Sequence, residues 1–314
     1  MKLATALANT LETAGENAKY DAAVKCLLAD KMILAWILKS CVDEFRETAV
    51  PEIAAVYIEG DPQIAEVPVL PDEAGPGTKI SATGVEDVTL TEGTITFDIR
   101  FEATVPGRKE KISLIINLEA QNDFYPGYPL VKRGLYYCSR IISSQYGTVF
   151  TKSHYEKIKK VYSIWICMNP PKKRRNTITG YSISEKNYIG QVKEPAQNYD
   201  LLASVMIGLG TPEDGTYEGI LKLLGVLLSS DIKPDQKQEI LERDFSIPMT
   251  ETLQRQVYDM CNLSKGVEEK GFEKAELSAI KNLMQKLKMT AEQAMETLDI
   301  SADKRAHYSA LLDK

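Results

Sequence analysis

Histidine is nearly absent: the 314 residues contain two, His154 and His307. A zinc site built on imidazoles, or a Ser-His-Asp relay, has almost nothing to draw on. Cysteine is sparse as well. Cys26, Cys41, Cys138, Cys167 and Cys261 are odd in number, scattered and nowhere spaced as Cys-x-x-Cys. That pattern excludes a disulfide framework and points to reduced thiols in a cytoplasmic protein. No apolar run approaches the roughly 20 residues that span a bilayer, so no membrane partner is expected. The longest, Met32–Leu38 and Leu221–Leu228, read as buried helices. Met1–Leu11 carries one lysine and no cleavage-like apolar core, which argues against a secretory signal. There is no internal repeat or low-complexity tract.

What is present is the composition of a globular chain, 44% hydrophobic and 26% charged, long enough for one large domain with an appendage. The net charge of −6 speaks against a nucleic-acid partner until its distribution is considered. Lys132 to Arg175 holds eleven Lys or Arg and one acid, Glu156, giving +10 and leaving −16 for the other 270 residues. A basic block in an acidic chain suits a localised phosphate-binding surface. The plainer reading is a set of lysines solvating a helix and a loop.

The stretch that organises the chain is GTITFDIRFEATVPGRKEKISLIINLEAQNDFYPGY, Gly93 to Tyr128. Ile95, Phe97, Ile99 and Phe101 alternate with Thr96, Asp98 and Arg100, the period of a half-buried strand. After a turn at Val105–Arg108, Ile112, Leu114, Ile116 and Leu118 alternate with Asn117, Glu119 and Gln121. Paired as a hairpin, the two segments bring Asp98, Glu119 and Gln121 onto neighbouring strands, in a register that sequence leaves open. Two carboxylates and an amide meeting there outline a metal site.

Asp98, then Glu119-Ala120-Gln121, then the helix text Lys132-Arg133-Gly134-Leu135-Tyr136-Tyr137-Cys138-Ser139-Arg140, then the strand Val161–Ile166, stand in a telling order. This order resembles the PD-(D/E)XK nuclease superfamily, in particular its recombination-promoting nuclease and transposase branch, which carries Gln where other members have Lys. Asp21 and Lys25 resemble that branch's Asp-x-x-x-Lys opening, with Tyr20 where a His often stands. The likeness spans roughly Asp21 to Gly210. It implies an α/β fold with a restriction-endonuclease-like mixed central sheet flanked by helices, followed by an all-α C-terminal appendage. It implies Mg²⁺ (Mn²⁺ as substitute) held by Asp98, Glu119 and the Ala120 carbonyl, and a DNA substrate whose phosphodiester bonds are hydrolysed. Gln121 could orient a water by hydrogen bonding but brings no charge. The missing charge must come from a second metal or from Lys25, Lys132 or Arg133. Lys25, Lys132, Arg133 and Arg140 are the expected phosphate-binding residues, with Asp21 supporting them from the first helix. The local alternative for Asp21 and Lys25 is a helix cap with an i,i+4 ion pair. The competing functional reading is a nuclease-fold protein that has lost turnover and binds DNA or protein. Folds of this kind often act as homodimers, although no dimer surface can be named from the text.

Taken in order, residues 1–20 are expected to be a flexible terminus and 21–210 the nuclease-like domain. Within it, Asp21–Arg46 has helical spacing, broken or interrupted near Asp30. Residues 51–92, rich in Pro and Gly, read as a loop excursion with short strands at Ile64–Leu70 and near Lys79–Ala82. A helix is predicted from Pro129 to about Tyr146, a strand buried on both faces at Val161–Met168 and an outer strand at Thr177–Ser184. Residues 211–265 form a helical extension. Residues 266–314 form a small helical module whose net charge, close to neutral and not basic, favours protein contacts. Gly266–Lys274 reads as a linker or thin helix, and Thr290 and Ser301 mark helix starts.

Overall fold

The computed structural model describes residues 18–64, 86–89, 93–96, 98–107, 111–119 and 127–312, with the backbone alone for 86–89, 93–96, 111, 113–119, 265–270 and 303. The expected flexible terminus therefore lies almost wholly outside the described residues. The apolar spacing that follows resolves into two helices, α1 (18–28) and α2 (Lys31–Cys41). Asp30 separates them, its carboxylate accepting from Met32 N at 2.9 Å and Ile33 N at 3.3 Å to cap α2. Asp21 is no cap. The chain is already helical at 18, so Asp21 sits inside α1 one turn before Lys25.

Helix α3 (Val50–Glu52) continues as a π-helical turn, Ile53–Tyr57, into strand β1 (Ile58–Ile64). The excursion predicted from residue 51 thus opens with regular structure. Gly60 and Pro62 disguise β1, and both are absorbed by a register shift between Glu59 and Gln63 on an edge strand, where a missing donor is tolerated. The strands expected at Ile64–Leu70 and Lys79–Ala82 fall, apart from Ile64, outside the described residues. Strands β2 (Glu86–Thr89) and β3 (Gly93–Thr96) pair antiparallel with each other. The single strand predicted across Ile95–Phe101 is therefore two. The chain leaves one ladder after Thr96, bends at Asp98 and enters another as β4 (Ile99–Thr104).

The predicted hairpin is present: β4 pairs antiparallel with β5 (Lys111–Glu119) from Ile99↔Ile116 to Thr104↔Lys111. Helix α4 (Leu130–Ser144) carries the chain to β6 (Val161–Cys167), which lies parallel to β5 and is buried at all seven positions. Strand β7 (Thr177–Ser182) runs antiparallel to β8 (Leu202–Gly208), itself parallel to β6. The resulting six-stranded mixed sheet has the order β1-β4-β5-β6-β8-β7, which makes this an α/β protein. Helices α5 (Gly219–Leu228), α6 (Pro234–Phe245), α7 (Glu251–Leu287), α8 (Ala291–Thr297) and α9 (Ala302–Leu312) complete it. The segment read as a linker or thin helix, Gly266–Lys274, is helical and fuses two expected helices into the 37 residues of α7.

Two compact units divide the chain: Asp21–Val257, and a smaller one that includes Tyr258–Lys314. Most of the expected 211–265 extension thus belongs with the sheet. Trp36 of α2 illustrates why, since its Nε1 donates to Phe245 O of α6 at 3.2 Å while the two rings meet edge-on at 5.4 Å. In the smaller unit Ile280, Ala294, Met295, Ile300 and Tyr308 form a core of their own. Thr290 starts α8 with a reciprocal cap, accepting from Gln293 N while Gln293 Oε1 accepts from Thr290 N.

On one face of the sheet, Leu130, Tyr137, Cys138 and Ile141 of α4 pack with Val161, Trp165, Cys167 and Met206. The turn after α2 lies over the other face, where Tyr162 Oη donates to Glu44 at 2.5 Å. Leu135 and Ile142 are only partly buried, whereas Gly134 and Tyr137 occupy the interior. A Cβ on Gly134 would collide with Ser204 Oγ and fall 2.9 Å from Trp165 Nε1, so only glycine lets α4 approach this closely. We expect Gly134→Ala to cost about 1–3 kcal/mol of stability through overpacking, measured by denaturant unfolding. A change below about 0.5 kcal/mol would mean that α4 does not sit this close.

Cys138, Cys167 and Cys261 are buried, Cys41 is partly exposed and Cys26 is exposed. Burial pushes the thiols of Cys41 and Cys138 up to about 12, leaving almost no thiolate at neutral pH. Titration of the native protein with a disulfide reagent at pH 8 should consume Cys26 quickly, Cys41 slowly and the three buried thiols only on unfolding.

Candidate functional site

One row of paired residues crosses the sheet: Glu119 of β5 with Cys167 of β6, Cys167 with Gly208 of β8, and Gly208 with Thr177 of β7. This row marks the sheet end at which β5, β6 and β8 finish. Asp98 immediately precedes the first pair of the neighbouring ladder, Ile99↔Ile116, and so belongs to the same end. The ladder closes at Ile99↔Ile116, with Asp98 at the bend just before it and Glu119 three residues past Ile116 at the end of β5. The backbone thus brings the two predicted carboxylate positions to the same end of the sheet. Ala120 and Gln121 lie outside the described residues.

Asp98 is 4% exposed and Lys25 1%. The Lys25 ammonium stands 2.8 Å from Asp98 Oδ1 and 2.6 Å from Asp21 Oδ2. Of the local reading the ion pair is present and the cap is not: Asp21 and Lys25 form an i,i+4 pair, and the same ammonium reaches Asp98. Burial alone would lower the Lys25 pKa, but the Asp98 charge and the hydrogen bonds to Asp21 and Asp98 outweigh it and hold the ammonium above its ordinary value. A lysine so placed stays charged throughout the physiological range.

Arg133 and Arg140, grouped by sequence, differ in setting. Arg133 is half-buried at the start of α4; its Nε donates to Tyr137 Oη at 2.8 Å and an Nη to Tyr128 Oη at 3.1 Å. Its guanidinium also lies 5.2 Å from the Tyr137 ring centre and 5.6 Å from that of Trp165. Arg140, two turns further along, is 4% exposed and donates to Tyr136 Oη at 3.1 Å. It is packed within the fold, which corrects its assignment to a phosphate-contacting surface. Lys132 is exposed in the first turn of α4.

The remaining basic residues sort by position. Lys159 pairs with Glu102 at 2.8 Å. Lys160 joins Asp200 at 2.5 Å and Glu44 at 3.1 Å, and Glu44 also takes the buried Tyr162 hydroxyl. Burial and the Glu44 charge drive that phenol's pKa strongly up, so it remains protonated. These groups precede β6 and sit at the sheet end away from Glu119. Nothing in the sequence marked Glu44 and Asp200 as partners, since they lie 116 and 40 residues from Lys160.

Asp98 is a carboxylate, a hard oxygen donor of the kind Mg²⁺ takes, and it is buried beside the Lys25 ammonium. Among the described residues, which do not include the Glu119 side chain, no group of three His, Cys, Asp or Glu gathers closely enough to hold a metal ion. Among the described residues no helix is long and apolar enough to cross a membrane. No family model matches the chain, and neither a curated protein nor a solved structure matches it.

Proposed function

We propose that this protein is a Mg²⁺-dependent DNA endonuclease with a restriction-endonuclease-like sheet, related in design to the recombination-promoting nuclease branch. The observation that carries the reading is the buried group at the sheet end. Asp98 stands beside the finish of β5 at Glu119, and Lys25 reaches it from the first helix. The strand order supports it too, with an antiparallel β1-β4-β5 meander, a helix and then a parallel strand.

In this reading Asp98 and Glu119 hold the metal, with the Ala120 carbonyl beside them. A bound Mg²⁺ supplies Lewis acidity toward the phosphate and lowers the pKa of its water. The chain's own groups do the rest. Lys25 keeps a positive charge beside Asp98, Gln121 orients a water, and Lys132 and Arg133 offer positive charge at the start of α4. DNA recombination, mobile-element or defence roles belong to the same proposal. So do a homodimer that cuts both strands, a cytoplasmic setting and protein contacts through the C-terminal helices.

One observation favours a second reading. The Lys25 ammonium already neutralises Asp98, as it would in a nuclease fold that binds DNA without cutting it. Nicking of supercoiled plasmid by the purified protein decides between them. The endonuclease reading expects relaxed circles with Mg²⁺ or Mn²⁺ and none with chelator; intact plasmid under every divalent ion tested, with DNA still bound, would leave only the binding protein.

A further inference from the structure

The loop after β6, Asn169-Pro170-Pro171-Lys172-Lys173-Arg174-Arg175-Asn176, leaves the strand directly beyond Cys167, which pairs with Glu119. It then lies across the end of β8. A Cβ at Gly208 would collide with Arg174 O, and one at Gly210 would fall 2.8 Å from both Arg175 Cβ and Asn176 Oδ1. Glycine at both positions lets the loop backbone rest on the strand end. The loop is tied down further by Asn176 Nδ2 donating to Thr211 O at 2.7 Å, Thr177 Oγ1 donating to Arg174 O at 2.7 Å and Arg174 N donating to Pro171 O at 2.7 Å. Arg175 turns back to Asp214 at 3.3 Å. Lys172 and Lys173 are left exposed at the top of a 3₁₀ turn, and among the described residues neither makes an ion pair.

The basic block therefore has two ends. Lys159 and Lys160 are spent on acids at one, while Lys172 and Lys173 stand at the end that carries Glu119 and Asp98. From β4, which Asp98 leads into, to β8 is three strand spacings, about 14 Å, or about four nucleotides' rise along one DNA strand. We propose that the Lys172–Lys173 turn is the element that grips the DNA backbone, seating phosphates a few nucleotides from the one at Asp98. A loop anchored at both glycines needs little ordering on binding. The proposal rests on the nuclease reading for its substrate, and goes beyond it in naming the contacting element.

The test is duplex-DNA binding by the full-length protein over a salt series, without divalent ions, for wild type, Lys172→Ala/Lys173→Ala and the far-end control Lys152→Ala/Lys157→Ala. The first variant should bind at least about tenfold more weakly at moderate salt. Its slope of log affinity against log salt should shrink by about 1.8, or about 0.9 for each of the two phosphates that the lysines would neutralise. The control should match wild type. An unchanged slope in the first variant, or an equal loss in the control, overturns the proposal while leaving metal-dependent nicking to stand or fall on its own. Weakened binding in a protein that never nicks DNA keeps the gripping turn and removes the nuclease. No binding by wild type removes the gripping turn, and plasmid nicking alone then judges the nuclease.

Discussion

Replacing Asp98 with asparagine should cut Mg²⁺-dependent nicking of DNA about a thousandfold, equivalent to about 4 kcal/mol in the barrier. The amide has the carboxylate's shape but not its charge, so it neither holds a divalent ion nor offsets the ammonium beside it. The fold should survive, because Lys25 keeps Asp21 at 2.6 Å as a counter-charge. Far-ultraviolet circular dichroism and the unfolding midpoint check that point, and plasmid nicking at saturating Mg²⁺ reads the activity. Cleavage within a few-fold of wild type would remove Asp98 from the chemistry.

Lys25→Met should have the largest effect on stability, a loss of about 3–5 kcal/mol in denaturant unfolding at pH 7. The methionine fills the space of the lysine stem but leaves Asp98, only 4% exposed, without its ammonium partner. The double variant Lys25→Met/Asp98→Asn should regain much of that loss, since no uncompensated charge then remains at position 98. The pH dependence has a definite sign. The Lys25 pKa is raised in the folded state, despite burial, by Asp98 and Asp21. Its stabilisation is therefore complete below the unfolded lysine value, about 10.4, and is lost as pH rises through the folded value. Wild type and Lys25→Met should differ fully at pH 7 and converge in strong alkali, where the ammonium is lost. A loss below about 1 kcal/mol at pH 7, or a gap that persists undiminished into strong alkali, would contradict a buried ammonium clamp.

Much of the site's framework was legible because it obeys local rules. Alternation located the strands on either side of Val105–Arg108, and the observed register, Ile99↔Ile116 through Ala103↔Ile112, unites the apolar residues that alternation had grouped. Asp30 announced its break through its capping chemistry. The features that escaped depend on partners far along the chain. Period-2 alternation continues through Ile95–Phe101, so nothing local shows that β3 pairs with β2 while β4 pairs with β5. Pro62 and Gly60 hid β1, because only its edge position makes them tolerable. Gly266 and Gly271 left a linker and a helix both open, but each costs a helix only about 1 kcal/mol, and α7 runs through both. Arg140 looked like a surface group because arginines usually are, and its burial follows from how α4 is set against the sheet. Strand order, finally, decides which lysines of the basic block stand near Asp98, and strand order is a property of the whole sheet.

The claim on which everything else depends is that Asp98 and Glu119 share a divalent cation at the end of this sheet. A crystal of the protein soaked in Mn²⁺ and measured at the manganese absorption edge tests it in one step. The account predicts a single strong anomalous peak in contact with a carboxylate oxygen of each residue, absent from Asp98→Asn crystals. A saturated soak in which Lys25 still holds Asp98 and no peak touches either carboxylate would contradict it.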